Sequence, residues 1–183
     1  MKCYRRYFEF ILLLLQLSCC GDISSIYNDM KSLKSHPINM NDSLFVTVSD
    51  NHSLNSKSVL TFVEYFDSAE CSPCAISRMY LWDMFVDKHN EHNDHIRYKF
   101  IFYTPDSVGN SIDSSISNNP SISVYWDPCG SFGRNNPQIP DNPNMHSFLI
   151  DEDNNILLIG NPLTNSKIDK LFSKIISKYH YLE

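Results

Sequence analysis

The chain has 183 residues, 42% of them hydrophobic and 20% charged, with a formal net charge of −6. That suits one ordinary globular domain with attachments. The acidic balance leaves no basic patch able to neutralise a phosphate backbone, so nucleic acid is excluded as the expected partner.

The first twenty residues differ in kind from the rest. Lys2, Arg5 and Arg6 form a basic start, and residues 10–17 are an apolar run too short to span a bilayer as an ordinary helix. Ser18, Cys19, Cys20 and Gly21 follow at once. This is the layout of a secretory signal, to be set apart from fold reasoning. Its end resembles a bacterial lipobox, in which an acylated cysteine follows a short segment of small residues. Cys20 is the preferred acceptor because Leu17 then takes the favoured apolar position, although Cys19 stands where a smaller residue is usual. Cys19 is the alternative acceptor, with Gln16 then ill placed, and a plain cleaved signal is a third reading. The resemblance implies export to the periplasmic side of a bacterial membrane, with attachment through acyl chains. Removing residues 1–20 takes away three basic residues and Glu9. Twelve basic and twenty acidic residues remain, a net of −8.

Residues 21–56 read as a tether and N-terminal extension, with one short helical pattern over 26–33 and an edge strand over 43–48. Leu60–Phe66 reads as a buried central strand. Residues 75–88 read as an amphipathic helix with Ile76, Met79, Tyr80, Phe85 and Val86 inward. His89, His92 and His95 fall in a polar turn, and a metal site there is a minor alternative. Strands are expected over 96–103 and 122–126, with a weak polar helix over 106–117 between them. A proline-rich loop over 127–144 holds Cys129, read as a buried or idle thiol, with a third redox thiol as the alternative. Residues 147–150 and 155–159 read as a hairpin around the acidic turn 151–154. A closing helix covers 163–178. The order builds one central mixed sheet with helices on both faces, an α/β arrangement.

Cys71-Ser72-Pro73-Cys74 stands at the first strand-to-helix turn. Two thiols three residues apart can close a disulfide where a helix begins, and outside the cytoplasm they tend to be oxidised. The pair Cys71–Cys74 is therefore expected to rest as a disulfide.

That order, with C-x-x-C at that turn, resembles the thioredoxin fold over roughly residues 57–180, so that residues 57–183 form a thioredoxin-like domain. Residues 147–160, Ser-Phe-Leu-Ile-Asp-Glu-Asp-Asn-Asn-Ile-Leu-Leu-Ile-Gly, resemble the hairpin of exported, membrane-attached thioredoxin-like proteins of the TlpA/redoxin type. Asn161-Pro162 and Asp67-Ser68 resemble the thioredoxin-like lipoproteins of the Bacteroidetes. The sequence departs from the family at three places. Glu70 replaces the usual Trp before the first cysteine, Tyr65 replaces a buried Asp, and Met145 replaces a cis-proline.

The resemblance implies a thiol–disulfide oxidoreductase, with Cys71 as nucleophile and Cys74 as resolving thiol. Cys71 at a helix N-terminus would have its thiolate favoured by free N–H groups and the helix dipole, and Pro73 suits the first turn. Cys74 is expected to be the more buried of the two. Glu70 should raise the Cys71 pKa and make the pair less oxidising. Glu64, an acid inside an apolar strand, is expected to face solvent or a lysine; the alternative is a proton shuttle for Cys74. Met145 and His146 should lie across from the dithiol. His146 is read as a loop histidine, with substrate positioning or a soft-metal site with both cysteines as alternatives. Expected partners are protein disulfide or dithiol substrates, or a redox protein, together with the membrane. No cofactor and no metal are expected. The competing reading is a scaffold lipoprotein of the same fold with a structural disulfide and no catalysis.

Overall fold

The computed structural model describes residues 23–50, 60–90, 96–104, 112–113, 116–117 and 119–180. The signal segment, with Cys19 and Cys20, and most of the helix expected over 106–117 lie outside them, as do His92 and His95.

Two apolar, β-rich runs form the centre. Strand β2 (Leu60–Phe66) pairs in parallel with β3 (Ile96–Phe102), and β3 pairs in parallel with β4 (Ile122–Trp126). On the other side β2 pairs antiparallel with β5 (Ser147–Ile150), which forms a hairpin with β6 (Ile156–Ile159). Strand β1 (Val46–Asp50) closes the opposite edge against β4, with a register shift between Thr47 and Ser49. The sheet order is β1-β4-β3-β2-β5-β6. The hairpin turn is held by Asp151, whose Oδ1 accepts N–H bonds from Asp153 and Asn155, and Asn154 takes the left-handed conformation there (φ 63°).

Both faces of the sheet are covered. Strand alternation sends Phe62 and Phe66 to one face and Val63 and Tyr65 to the other. The first face packs under α3 (Met79–Asn90) and α5 (Ser166–His180), with Phe62 in ring contact with Trp82 and Phe172, and Trp82 with Phe100. The second packs under α1 (residues 23–33) and the short α4 (Ser131–Asn135) through Leu33 and Phe132. The segment expected to be a tether is thus partly packed. Leu33 and Ile38 are buried, Ile38 N–H donates to the Asn154 carbonyl (2.9 Å), and β1 belongs to the sheet.

The first helix differs from expectation. It is broken into α2 (Ser72–Ile76) and α3 by Ser77 and Arg78. The Ser77 hydroxyl donates to the Cys74 carbonyl (2.9 Å), competing with the helical pattern. The restart re-phases the buried face. Met79, Trp82, Phe85 and Val86 are buried, whereas Tyr80, expected inside, is 59% exposed. In α5 Phe172 and Ile176 are buried, and Leu171 beside them is exposed.

Residues 127–144 are more ordered than a loop. Buried Asp127 accepts the N–H groups of Ser131 (2.9 Å) and Phe132 (2.8 Å) and so caps α4. Asp127→Ala should therefore cost about 1–2 kcal/mol, read from urea unfolding at neutral pH. A loss under about 0.3 kcal/mol would mean the cap carries no stability. His89 was expected in a polar turn but is buried on α3. Its Nδ1 meets the Phe85 carbonyl at 2.8 Å and its Nε2 meets Asp169 at 3.0 Å.

Candidate active site

Strand β2 ends at Phe66, and a tight turn carries the chain into α2. Asp67 Oδ1 accepts from Ala69 N–H (2.8 Å), and Glu70 Oε1 accepts from Asp67 N–H (3.3 Å). Cys71 stands at the N-cap of α2, its carbonyl accepting from Ala75 N–H (3.0 Å), and Pro73 lies in the first turn. Cys71 and Cys74 form a disulfide with their Cα atoms 5.2 Å apart. Both cysteines are exposed, so Cys74 is not tucked away as expected; the five-residue α2 turns both sulfurs toward the surface. So short a helix also contributes less dipole than a long one, leaving the local N–H groups as the main favour to a thiolate.

The disulfide borders a cleft of about 490 Å³ whose lining includes Glu64, Glu70, Arg78, Trp82 and Asn161. Glu64 does not face solvent or a lysine. It follows Phe62 on the strand and shares its face, which α3 and α5 cover, and it is 7% exposed. Asn161 Nδ2 donates to Glu64 Oε1 (3.0 Å), while Oε2 has no partner in hydrogen-bonding geometry among the described residues. Burial raises the Glu64 pKa to about 7, against the lowering effect of the Ser147 and Asn161 side chains. Asn161 is held in turn, because its Oδ1 accepts from Leu163 and Thr164 N–H groups. A carboxyl that titrates near neutrality thus lines the same cleft as the two sulfurs.

His146 is buried, and both ring nitrogens meet acceptors. Nδ1 lies 3.0 Å from Glu70 Oε1 and Nε2 lies 2.8 Å from the Pro140 carbonyl. Burial opposes the charge, but Glu70 and the Pro140 carbonyl outweigh it, and the pKa is raised. Both neighbours of the ring are acceptors, an arrangement that favours its doubly protonated form. Glu70, expected to burden Cys71 with a negative charge, has that charge matched by His146. Sequence reasoning missed this pair, and residues 76 positions apart gave no signal of it. One ligand atom each from Asp67, Glu70 and His146 lies within 4.8 Å of the others, the spacing of a metal site. All three residues already hold hydrogen bonds, which makes the cluster a pin between the dithiol turn and the strand β5 entrance.

Met145 is buried at the end of a 3-10 turn, where the family has a cis-proline, and no peptide is cis among the described residues. Tyr65 points to the opposite face from Glu64, its hydroxyl near Gly133, and burial raises its pKa. Cys129 is an exposed free thiol that does not line the cleft, contrary to a buried reading.

No protein-family model matches the chain, and no curated protein matches it by sequence. Among solved structures it is similar to a thioredoxin-like protein from Aeropyrum pernix, at 16% identity and a TM-score of 0.41 over 88% of this chain and 99% of that one. It is similar also to a thioredoxin-like protein from Bacteroides caccae, at 9% identity and a TM-score of 0.43 over 81% and 53%. StoA from Bacillus subtilis aligns at 15% identity and a TM-score of 0.40 over 69% and 100%. The sheet supplies its own argument. A parallel β2–helix–β3 unit with C-x-x-C at its turn is joined through β2 to an antiparallel β5–β6 hairpin and a closing helix. The chain has the thioredoxin-like fold, with a redox-type disulfide at its first strand-to-helix turn.

Proposed function

We propose that the protein is an extracytoplasmic, lipid-anchored thiol–disulfide oxidoreductase working through Cys71 and Cys74. The observation that carries this is an exposed C-x-x-C disulfide sharing a cleft with a buried carboxyl that titrates near pH 7.

In the reduced protein the Cys71 thiolate attacks one sulfur of a substrate disulfide. A mixed disulfide forms and the other substrate sulfur leaves as a thiolate. Cys74 then gives its proton to the Glu64 carboxylate and attacks the Cys71 sulfur. The Cys71–Cys74 bond re-forms, the second substrate thiolate departs, and two electrons have passed to the substrate. A dithiol partner must reduce the pair again. The two sulfurs suffice as the redox group, so no cofactor enters. Glu64 suits the proton step because its neutral and charged forms are close in energy at neutral pH.

The anchor is proposed on Cys20, with Cys19 as the alternative, placing residues 57–183 on the periplasmic side of a bacterial membrane. Substrates are protein disulfides or dithiols, or a redox partner.

A second reading, a scaffold with a structural disulfide, is favoured by Met145 at the cis-proline position. Redox titration of Cys71–Cys74 against glutathione or dithiothreitol buffers separates the two. The oxidoreductase reading expects a potential above about −270 mV, and a value below about −300 mV would establish the structural one.

A further inference from the structure

Helix α1 leaves an apolar stripe uncovered. Ile23, Ile26, Tyr27 and Met30 recur at i, i+3, i+4 and i+7, and they are between 39% and 67% exposed. The same row continues at Lys31 and Lys34, both exposed, the second still held by its N–H bond to the Met30 carbonyl (3.2 Å). This face of the helix is thus apolar at its start and cationic at its end. A contiguous apolar patch on such a face marks a surface that something covers.

Two observations say what covers it. The first is the short link to the proposed anchor. Ile23 follows Cys20 by three positions and Cys19 by four. Three residues at full extension reach about 10 Å. The start of α1 therefore stays within that distance of an acylated Cys20. No slack is added beyond it, because α1 is locked to the body of the domain. Leu33 is 0% exposed, Ile38 N–H donates to the Asn154 carbonyl, and Asn39 N–H donates to Asn136 Oδ1 (2.7 Å). Acyl chains at Cys20 consequently draw the whole domain against the bilayer, with the stripe next to the anchor.

The second observation is charge. Residues 21–183 hold twelve basic and twenty acidic residues, a net of −8, so an anionic leaflet repels most of the surface. The α1 row is the exception. Its charges are the two lysines, and the helix's one acid, Asp29, stands off the row and is only partly exposed. Apolar side chains in the acyl boundary, a tyrosine at headgroup level and lysines against lipid phosphates are what a helix lying in the interface presents.

We infer that α1 is a second membrane contact: it lies in the interface of the bilayer that holds the acyl chains, stripe inward, and fixes the orientation of the domain on that bilayer. This rests on the lipid-anchored reading above and names how the anchored domain meets its membrane.

The test uses the full acylated chain reconstituted into phosphatidylethanolamine–phosphatidylglycerol vesicles, with Tyr27→Trp as a fluorescent reporter. Wild type supplies the background of Trp82 and Trp126. Lipids brominated on their acyl chains quench an indole that enters the bilayer. The added emission of Tyr27→Trp should fall by at least about half in brominated vesicles, as for a ring carried ~5–10 Å into the boundary region. Met84→Trp, at a 66% exposed position of α3 across the sheet from α1, should be left unquenched. Adding Ile23→Glu to the Tyr27→Trp reporter should abolish its quenching. Lys31→Glu with Lys34→Glu should weaken the quenching in anionic vesicles more than in zwitterionic ones. A chain without acyl mass on Cys20 or Cys19 would sink the anchor reading and the inference with it. An acylated chain with equal quenching of the two reporters, or with Tyr27→Trp quenching untouched by Ile23→Glu, would overturn the inference alone. Tyr27→Trp shielded from bromine and from aqueous iodide alike, in a dimer that Ile23→Glu dissociates, would assign the stripe to a second copy and overturn it as well.

Discussion

Replacing Cys71 by serine should remove disulfide reduction, lowering kcat/KM by at least about a thousandfold, as expected for loss of a nucleophile. A serine hydroxyl at this exposed turn has neither the acidity nor the sulfur chemistry to enter exchange. The companion variant, Cys74→Ser, should behave differently. It keeps the attacking thiol but lacks the resolving one, so it should accumulate a mixed disulfide with substrate, visible by mass spectrometry and released by dithiothreitol. Equal rates for wild type and Cys71→Ser would place the chemistry elsewhere. An adduct on Cys71→Ser but not on Cys74→Ser would reverse the two roles. Neither substitution should unfold the protein. The bond closes a turn of only three residues' separation at the surface, while the core lies in two aromatic layers away from it.

The second large effect is on stability and concerns Glu64. Its pKa is raised by burial from 4.5 to about 7, so the folded protein holds this proton more tightly than the unfolded chain does. Below about pH 4.5 both states are protonated and the group is neutral in the balance. Between about 4.5 and 7 the folded state loses stability as pH rises, and above 7 the loss is complete, about 3 kcal/mol. Glu64→Gln removes that titration while keeping an oxygen for Asn161. Its stability relative to wild type should therefore climb by about 3 kcal/mol between pH 4 and pH 8, measured by urea unfolding of the oxidised proteins. His146 is present in both proteins, and its charge lowers the Glu64 pKa only as a lesser influence beside burial. A difference independent of pH would show that Glu64 reaches solvent in its charged form. The same variant should slow the second step of exchange near neutral pH, because Cys74 loses its proton acceptor. Greater stability with slower turnover is the signature expected of a strained functional group.

Strands β2, β3, β4 and β5 were legible because each is a short β-branched or aromatic run cut off by polar or proline-rich residues. C-x-x-C placed the dithiol at the correct turn for the same reason. The helix break at Ser77 and Arg78 was hidden, since the apolar pattern runs through it and one serine hydroxyl decides the matter. Glu64 was misread because an acid in a strand is ordinarily given the solvent face. Here no solvent face exists, for helices cover both sides of the sheet. The packing of α1 was obscured by polar composition around two anchors, Leu33 and Ile38. Asn161, which holds Glu64, was noticed only within a motif, its role depending on a contact across 97 positions.

The pairing of Glu70 with His146 constrains how the sequence can drift. Each side chain makes the other tolerable. Without Glu70 the buried ring keeps only a carbonyl to hold its charge, and without His146 the carboxylate beside the dithiol is unmatched. Single exchanges at either position are therefore disfavoured, while a joint replacement by two neutral residues meets no such penalty. Positions 70 and 146 should change together or not at all among descendants of this chain, and the redox turn inherits its electrostatics from a residue in another part of the fold.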